Sequence, residues 1–426
     1  MKRIQLEIKA LSPLAIGRKK PGGSVSEAAD YIPGSVIRGA IATQILRQSG
    51  HQSANLADNG GDFQSLFIGD NPAIFYNAYP ATIERPKQII VQSDVRVVPA
   101  TALSSKREPG FCRPNQNQKC TGDGNGVFDT LIDRFCAEGY GYLYDPNCPT
   151  DGDRVDTFTG YYSKIGNKYY SHSTNTRLLT RVGINRRRST AQEGVLYSIE
   201  VLNESQIVGK KEKPVIYTGA ILVADELAES LQSFITHHQQ DFRLGGSTSR
   251  GLGKVKITAN SPVDTTAVKP SVDERIKMFQ DKLHKRWQDW QIFGQPQQDL
   301  LQNRTYFTID LQSDTILNEN WRRTTVISPE MLQYFTGVTD SSLQLHAAYS
   351  SYDYLSGWNS AWGLMKDIEL ITKKGAVYLF STIQPNLWME RLKYLEVKGV
   401  GDRTCEGFGQ VQICNEFHLV LREEAV

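Results

Sequence analysis

The chain has 426 residues, of which 39% are hydrophobic and 22% are charged, and its formal net charge is +2. This length predicts two or three domains, and the composition is typical of a globular protein. No apolar run approaches the roughly 20 residues that a membrane helix needs, and the first residues lack a signal-peptide core. We therefore expect a cytoplasmic protein without a membrane partner.

The N-terminal region predicts a strand followed by a helix. Alternating apolar residues predict the strand from residue 3 to 10, and Pro33-Gly34 predicts a turn before a helix with Ser35 as its N-cap. Backbone N–H groups at this helix start, together with Ser35 and Arg38, could bind a phosphate. A structural cap that requires no ligand is the alternative.

Basic residues cluster at two places on this nearly neutral chain: Arg18, Lys19 and Lys20 near the N-terminus, and Arg177, Arg181, Arg186, Arg187 and Arg188 farther along. Local basic patches favour a polyanion partner, although a solvated charged surface has the same composition. A predicted strand at 194–197 follows the second cluster, so that cluster is a candidate arm of a hairpin.

Residues 101–175 are rich in Gly, Asn, Asp and Tyr and show little periodicity, which predicts an insertion into the first domain. Four of the six cysteines lie there: Cys112, Cys120, Cys136 and Cys148. None of them forms the close pair that is typical of strong zinc sites. Bound zinc and free thiols are therefore both open, because four cysteines in one segment could still converge on a metal.

Nearly the same motif occurs twice, as G-L-G-K-V-K-I at 251–257 and as G-F-G-Q-V-Q-I at 407–413. In both copies a glycine turn leads into a half-buried strand, and a strand and a helix precede the turn. These preceding elements are predicted at 215–223 and 225–237 in the first half and at 376–383 and 387–395 in the second.

The repeat predicts an α+β fold with two ferredoxin-like domains, residues 1–260 and 304–426. A helical connector, residues 261–303, joins them, and Ser271 and Glu274 have the spacing of a capping box at its helix. In the second domain, residues 306–311 predict the first strand and Ser328 begins a short helix.

The first glycine loop combines flexible backbone, hydroxyl groups and a guanidinium, which together suit a phosphate chain. Its candidate residues are Gly245, Gly246, Ser247, Thr248, Ser249, Arg250 and Gly251. The second loop offers Arg403, but Asp402 and Glu406 weaken its attraction for phosphate. Neither loop has the ending of a nucleotide P-loop, and each leads into a strand where a dinucleotide fingerprint opens a helix.

Residues 31–40, YIPGSVIRGA, resemble the "IPGSSLRGALR" signature of CRISPR-associated RAMP proteins, and residues 245–253 resemble their glycine-rich loop. The two-domain length and the segments 11–17 and 357–363 resemble one branch, the two-RAMP-domain subunit of type III-D effector complexes. The resemblance implies RRM-like domains in an antiviral ribonucleoprotein complex, with glycine loops and a hairpin that bind crRNA.

The resemblance also implies that the subunit holds the 5′ repeat-derived handle of the crRNA and meets target RNA only indirectly. Its implied partners are the large polymerase/cyclase-type subunit, the backbone RAMP subunits and a small accessory subunit. Trp358 could stack on an unpaired base, although a subunit contact or a core position is also open.

Some RAMP relatives cleave RNA with a histidine or an aspartate, and the rival candidates here are His51 and Asp30. His51 follows the first helix, and Asp30 lies between the first strand and the helix signature. We expect a non-catalytic RNA-binding subunit that requires no cofactor, with zinc possible only in the insertion. An endoribonuclease that processes precursor crRNA or cuts target RNA is the alternative, and a scaffold that contacts only protein is a third possibility.

Overall fold

The computed structural model describes residues 1–18, 27–50, 60–84, 89–91, 94–112, 124–185, 187–208, 211–265, 270–297, 300–359 and 363–426. Five residues predicted to act at a site lie outside these ranges: Lys19, Lys20, His51, Cys120 and Arg186. The side chains of Arg18 and Trp358 are also outside the description. Within it, no helix is long and apolar enough to cross a membrane.

The α helices are α1 Gly34–Ser49, α2 Gly61–Phe67, α3 Leu131–Gly139, α4 Asp225–His237, α5 Val272–Asp289, α6 Pro329–Thr336 and α7 Pro385–Lys398. The strands of the first part are β1 Lys2–Ala10, β2 Gly17–Arg18, β3 Glu27–Ala28, β4 Ile74–Phe75, β5 Tyr79–Pro80, β6 Thr82–Glu84, β7 Ile89–Val91, β8 Arg96–Val97, β9 Ala102–Ser105, β10 Val127–Asp129, β11 Val155–Thr157, β12 Tyr161–Ile165, β13 Lys168–His172, β14 Thr176–Asn185, β15 Thr190–Leu202, β16 Ser205–Val208, β17 Lys211–Pro214, β18 Ile216–Val223, β19 Val255–Ala259 and β20 Val263–Asp264. The strands after α5 are β21 Thr305–Leu311, β22 Leu317–Glu319, β23 Arg322–Thr324, β24 Gln344–Tyr349, β25 Tyr352–Leu355, β26 Trp358–Asn359, β27 Leu364–Met365, β28 Glu369–Thr372, β29 Val377–Thr382 and β30 Val411–Ile413.

Two antiparallel sheets form the framework, with the orders β19-β1-β18-β4 and β24-β29-β21-β30. The first sheet also contains β20, which pairs with β1, and β5, which pairs with β18. When the four strands named in each order are numbered along the chain, both orders read 4-1-3-2. In β1 every second side chain is buried, and Ile4, Leu6 and Ile8 form one core with α1 and α4. The second sheet forms a separate core with α5, α6 and α7. The repeat in the sequence is therefore matched by a repeat in strand order.

Most predicted elements are confirmed, including the capping box at α5. The hydroxyl of Ser271 accepts the N–H of Glu274 at 3.3 Å, and the carboxylate of Glu274 accepts the N–H of Ser271 at 2.8 Å. The predicted N-cap at Ser35 is wrong, because α1 begins at Gly34 after Pro33. The side chain of Asn77 accepts the Gly34 N–H at 2.8 Å, so a distant residue satisfies the helix start.

Residues 101–175 pack largely on the second half of the molecule. Helix α3 contributes Leu131 and Phe135 to the core that contains Leu283 and Trp287 of α5. Small sheets, β10-β9-β11 and β13-β12-β8, complete the segment. Its alternation of short strands and loops explains why the sequence shows little periodicity.

The cysteines of this segment lie in different surroundings. Cys112 is disulfide-bonded, whereas Cys136 and Cys148 are free and buried. Burial raises the pKa of the Cys136 thiol well above its usual range, which disfavours the thiolate that binds zinc. Within the described ranges no group of three or more His, Cys, Asp or Glu residues could hold a metal ion. Since Cys120 is outside those ranges, zinc in this segment stays a prediction.

A buried ionic cluster connects this segment to the second sheet. His418 is fully buried, with Nδ1 3.1 Å from Oδ2 of Asp129 and Nε2 2.6 Å from Oδ1 of Asp310. Burial lowers the pKa of His418, but the two carboxylates outweigh it and raise that pKa to about 10. The imidazole is therefore a cation at neutral pH, and it joins β10 and β21 to the C-terminal segment.

Replacing His418 by Asn is expected to lower the free energy of unfolding by about 3–5 kcal/mol, because two buried carboxylates lose their shared cation. The pKa of His418 is about 10 when folded and 6.5 when unperturbed. Its contribution is thus complete below about pH 6.5 and is lost as the pH rises toward 10. Urea unfolding across this pH range measures both effects.

The exposed His237 supplies the matched control, His237→Asn, which should change the free energy of unfolding little at any pH. Equal losses in the two variants, or a loss in His418→Asn that does not shrink as the pH rises, would contradict the buried cation.

Candidate nucleic-acid interface

Both glycine loops are closed by the same backbone hydrogen bond. In the first glycine loop, residues 244–253, the N–H of Leu244 donates to the carbonyl of Gly253 at 2.9 Å. In the second glycine loop, residues 400–409, the N–H of Val400 donates to the carbonyl of Gly409 at 2.8 Å. Each donor and each acceptor differs from its counterpart by 156 residues, the same offset that separates the sequence motifs.

The backbone between these closing residues also follows one plan in both loops. A residue with a positive φ leads into a 3₁₀ turn of three residues, and a glycine with a positive φ ends the turn. The equivalent pairs are Ser247 and Arg403 (φ 56° and 59°), Thr248–Arg250 and Thr404–Glu406, and Gly251 and Gly407 (φ 85° and 95°). The two motifs therefore encode one loop conformation.

The two loops differ in their exposure to solvent. In the first loop the turn residues Thr248, Ser249 and Arg250 are exposed, and so is Gly251. In the second loop Gly407 is buried, and the turn before it is half-buried. The two loops thus share one backbone conformation, but the first loop is exposed to solvent and the second is covered by protein.

The second loop is covered by the start of α1. A Cβ placed on Gly407 would lie 2.6 Å from Oδ1 of Asn77 and 3.1 Å from the nitrogen of Gly34. The Asn77 side chain also donates to the Gly407 carbonyl at 3.1 Å. Asn77 therefore joins the start of α1 to the second loop, and the Gly34 N–H that we predicted for a phosphate donates to Asn77.

The guanidinium of Arg38, on α1, is engaged by Phe67 and is not free to bind a phosphate at the start of that helix. Its guanidinium donates to the carbonyl of Phe67 at 2.6 Å and lies over the Phe67 ring, 5.4 Å from the ring centre. Ser35 is half-buried in the first turn of α1. These contacts give no support to the prediction that Ser35 and Arg38 bind a phosphate.

The first loop is joined to a long hairpin through Arg250. The Arg250 guanidinium donates to the hydroxyl of Tyr197 and lies over its ring, 5.7 Å from the ring centre. Tyr197 is on β15, opposite Arg181 on β14, so the predicted hairpin of the arginine cluster is confirmed. Arg181 and Tyr197 thus lie on one face of the hairpin, and Arg250 of the exposed glycine loop packs against Tyr197.

The hairpin extends away from the sheets and carries further basic residues. Its ten-residue strand β14 is about 30 Å long. At the tip, the exposed residues Arg187 and Arg188 donate their backbone N–H groups to the side chain of Asn185. Near the base, Arg177 pairs with Glu204 at 2.9 Å, which reduces its attraction for phosphate. The basic surface is therefore concentrated at the tip and at the Arg181–Arg250 region.

The opposite face of the hairpin carries exposed apolar side chains beside polar ones, which include Thr180, Ser198 and Glu200. Leu178, Val182 and Leu196 lie on this face and are exposed, with Leu196 71% accessible. Because monomeric proteins rarely leave several large apolar side chains together in water, this face is suited to a protein contact.

Arg403 of the second loop is neutralised by its neighbours. Its guanidinium donates to Glu406 at 2.5 Å and lies 4.9 Å from the ring centre of Phe408. Burial raises the pKa of Glu406, but Arg403 and Lys366 outweigh it and keep that pKa below its ordinary value. Glu406 is therefore an anion that occupies the guanidinium. Asp402 pairs with Arg323 at 3.2 Å.

The strands after the two loops differ in the same way. Lys254 is exposed, whereas its counterpart Gln410 is buried. Gln410 and Gln412 line a cavity of about 180 Å³ between the two sheets, with Arg3 and Arg275 among the other lining residues. The polar positions of the motif thus reach open solvent in the first half and a half-open cavity between the sheets in the second.

Asp30 lies at the contact between the two halves. Its carboxylate accepts the hydroxyl of Tyr161 at 2.9 Å and lies 3.2 Å from Nζ of Lys374. The Lys374 ammonium also lies 4.3 Å from the ring centre of Tyr31. These contacts give Asp30 a structural ion pair that links β29 and its neighbours to the first half.

Sequence reasoning missed three residues of interest. Tyr197 supports Arg250, Lys254 is exposed beside the loop, and Trp321 lies fully exposed at the tip of a second hairpin. Lys254 could have been found, because it is a polar position of the repeated motif. The other two depend on strand pairing and on turn conformation.

The fold and loops describe a mixed helix–sheet protein with a repeated glycine-loop framework. The model of the RAMP superfamily matches residues 7–256, more than half of the chain, and the chain therefore belongs to the RAMP superfamily. This confirms the family that the sequence motifs predict. No curated protein matches the chain.

Solved structures similar to the chain include components of CRISPR complexes. A chain of the type III-B Cmr-beta complex bound to cognate target RNA and AMPPnP has a TM-score of 0.41 and 12% identity, covering 88% of this chain and 86% of that one. A chain of the Cmr-beta complex bound to cognate target RNA has a TM-score of 0.36 and 12% identity, with the same coverage. A Cas6 product complex has a TM-score of 0.27 and 12% identity, covering 50% and 82%.

Alanine at the paired glycines should separate the open loop from the covered one. Gly251→Ala meets no atom within 4 Å, so we expect only the strain of a positive φ, about 1–2 kcal/mol. Gly407→Ala adds a steric clash with Asn77 and with the backbone of Gly34. Its loss of unfolding free energy should therefore be several times larger than that of Gly251→Ala. Chemical denaturation of the two variants measures the difference, and equal losses would contradict the covering of the second loop.

Proposed function

We propose that this RAMP protein is a non-catalytic crRNA-binding subunit of a type III, III-D-like CRISPR effector complex. It would bind the 5′ repeat-derived handle with two ferredoxin-like domains of unequal role. The observation that carries the proposal is the exposed first glycine loop, whose Arg250 is positioned by Tyr197 of the basic hairpin.

The chemistry of this surface suits a single-stranded RNA backbone. The hydroxyls of Thr248 and Ser249 can donate to phosphate oxygens, and exposed arginines release counterions when they neutralise phosphates. Arg181 and the hairpin tip extend the basic surface along one edge of the molecule. Such contacts hold RNA by its backbone and place little demand on its sequence.

The hairpin also supports a role as a subunit of a larger assembly. While its basic face is proposed for crRNA, the exposed side chains of Leu178, Val182 and Leu196 on its other face are suited to a contact with the first backbone RAMP subunit. The large polymerase/cyclase-type subunit and the small accessory subunit are proposed as further partners, and target RNA would be met only through them. No cofactor is required for this role.

The ion pair of Asp30 supports a binding role over catalysis. The side chain of Asp30 is 55% exposed, but its carboxylate is paired with Lys374 and accepts the Tyr161 hydroxyl, and a general base would have to give up both contacts. His51, the other rival, is outside the described residues. Cleavage of repeat RNA by the purified chain, lost in Asp30→Ala or His51→Ala, would favour the endoribonuclease instead.

The two equivalent loops allow a matched test of RNA binding. Arg250→Ala should weaken binding of handle RNA and flatten the dependence of log Kd on log salt by about one unit, because one phosphate contact is lost. Arg403→Ala should leave both quantities near the wild-type values, since Glu406 already occupies that guanidinium. Fluorescence anisotropy over a salt series measures them.

Circular dichroism of both variants checks that the fold is intact. Wild-type affinity and salt dependence in Arg250→Ala would contradict the proposed interface and favour a scaffold that contacts only protein.

A further inference from the structure

A second, shorter hairpin presents a tryptophan to solvent at its tip. Strands β22 and β23 pair from Leu317–Thr324 to Glu319–Arg322, which leaves Asn320 and Trp321 as the two loop residues. Trp321 is 103% accessible relative to an extended reference, so its ring makes almost no contact with the protein. The faces of the ring are therefore open to a ligand.

The backbone conformation of this turn disfavours tryptophan at its second position. Asn320 and Trp321 have φ values of 48° and 64°. Two-residue hairpin turns with positive φ at both positions favour Asn followed by Gly, because a side chain at the second position is strained. The chain therefore maintains an aromatic residue where glycine would be more stable, and strain of this kind marks candidate functional positions.

The hairpin is firmly attached to the second glycine loop. Asn318 and Arg323 both donate to the carboxylate of Asp402, and Arg323 also donates to Glu369. Leu317 is fully buried at the base. These contacts join the base of the hairpin to the second glycine loop and place the tip, with Trp321, beside that loop.

We propose that Trp321 is a stacking platform for an unpaired base of the bound RNA. This inference rests on the proposed function and adds a contact that the first glycine loop does not make. Base–aromatic stacking uses the ring face and tolerates any base, and the exposed Arg322 beside the ring can meet the adjoining phosphate.

The surroundings of the ring favour RNA over a protein partner. A protein contact is expected to centre on several apolar side chains, as on the outer face of the long hairpin. Within residues 318–324 Trp321 is the only large apolar side chain, and its neighbours are Asn320, Arg322 and Arg323. The exposed ring and Arg322 match a base and its adjoining phosphate in shape and charge, whereas Arg323 is already paired with Asp402 and Glu369.

The substitution Trp321→Gly gives opposite changes in two measurements. It should raise the melting temperature, because glycine relieves the strained turn, and it should weaken binding of handle RNA about 5- to 100-fold, because one stacked base is lost. The dependence of affinity on salt should stay as in the wild type, since the ring neutralises no phosphate. Trp321→Phe should retain most of the affinity.

The outcomes separate this inference from the proposed function. If the wild type binds RNA and Arg250→Ala weakens it, but Trp321→Gly binds as tightly as the wild type, the stacking platform is overturned. A lower melting temperature in Trp321→Gly would also overturn it, because the ring would then stabilise the fold. If the wild-type chain binds no RNA, the proposed function itself fails.

Discussion

A Cβ on Gly34 would lie 2.9 Å from the carbonyl oxygen of Glu406 in the second glycine loop, and a Cβ on Gly407 would lie 3.1 Å from the nitrogen of Gly34. Side chains at either glycine would therefore force the start of α1 and the second glycine loop apart. Because Asn77 hydrogen-bonds to both segments, the two halves of the chain are fixed to one another at this contact. The different uses of the two loops depend on it.

One loop conformation serves two purposes as a result. Covered by α1, the second loop keeps its guanidinium paired with Glu406 and acts as the support for the Trp321 hairpin. Left open, the first loop keeps Arg250 exposed against Tyr197, next to a hairpin long enough to reach a neighbouring molecule. The duplication supplied the backbone, and the packing between the halves decided which copy faces RNA in our proposal.

Regular elements with strong periodicity were predictable from the sequence. The capping box of Ser271 and Glu274 and the helix from residue 225 to 237 follow local rules and appear as predicted. The glycine loops were predictable because their motif occurs twice in the sequence. The difference in charge between the two loops was also predictable, since Glu406 is near Arg403 in sequence.

Features set by distant residues were not predictable. Ser35 looked like an N-cap, but Asn77 satisfies that helix start from another segment. The covering of the second loop needs contacts across more than 300 residues, and a single sequence gives no signal for them. Trp321 was missed because its turn contradicts the local preference for glycine, and such conflicts are expected at sites kept for function.

Backbone amide hydrogen exchange, with and without handle RNA, tests the unequal roles of the loops most directly. We expect the exposed amides of residues 247–249 to exchange readily in the free protein and to become protected when RNA binds, whereas the Gly246 N–H already donates to the Ala15 carbonyl. Amides of residues 404–407 should exchange slowly in both states, because α1 already covers them. RNA-dependent protection that appears at 404–407 and not at 247–249 would contradict the unequal roles of the loops.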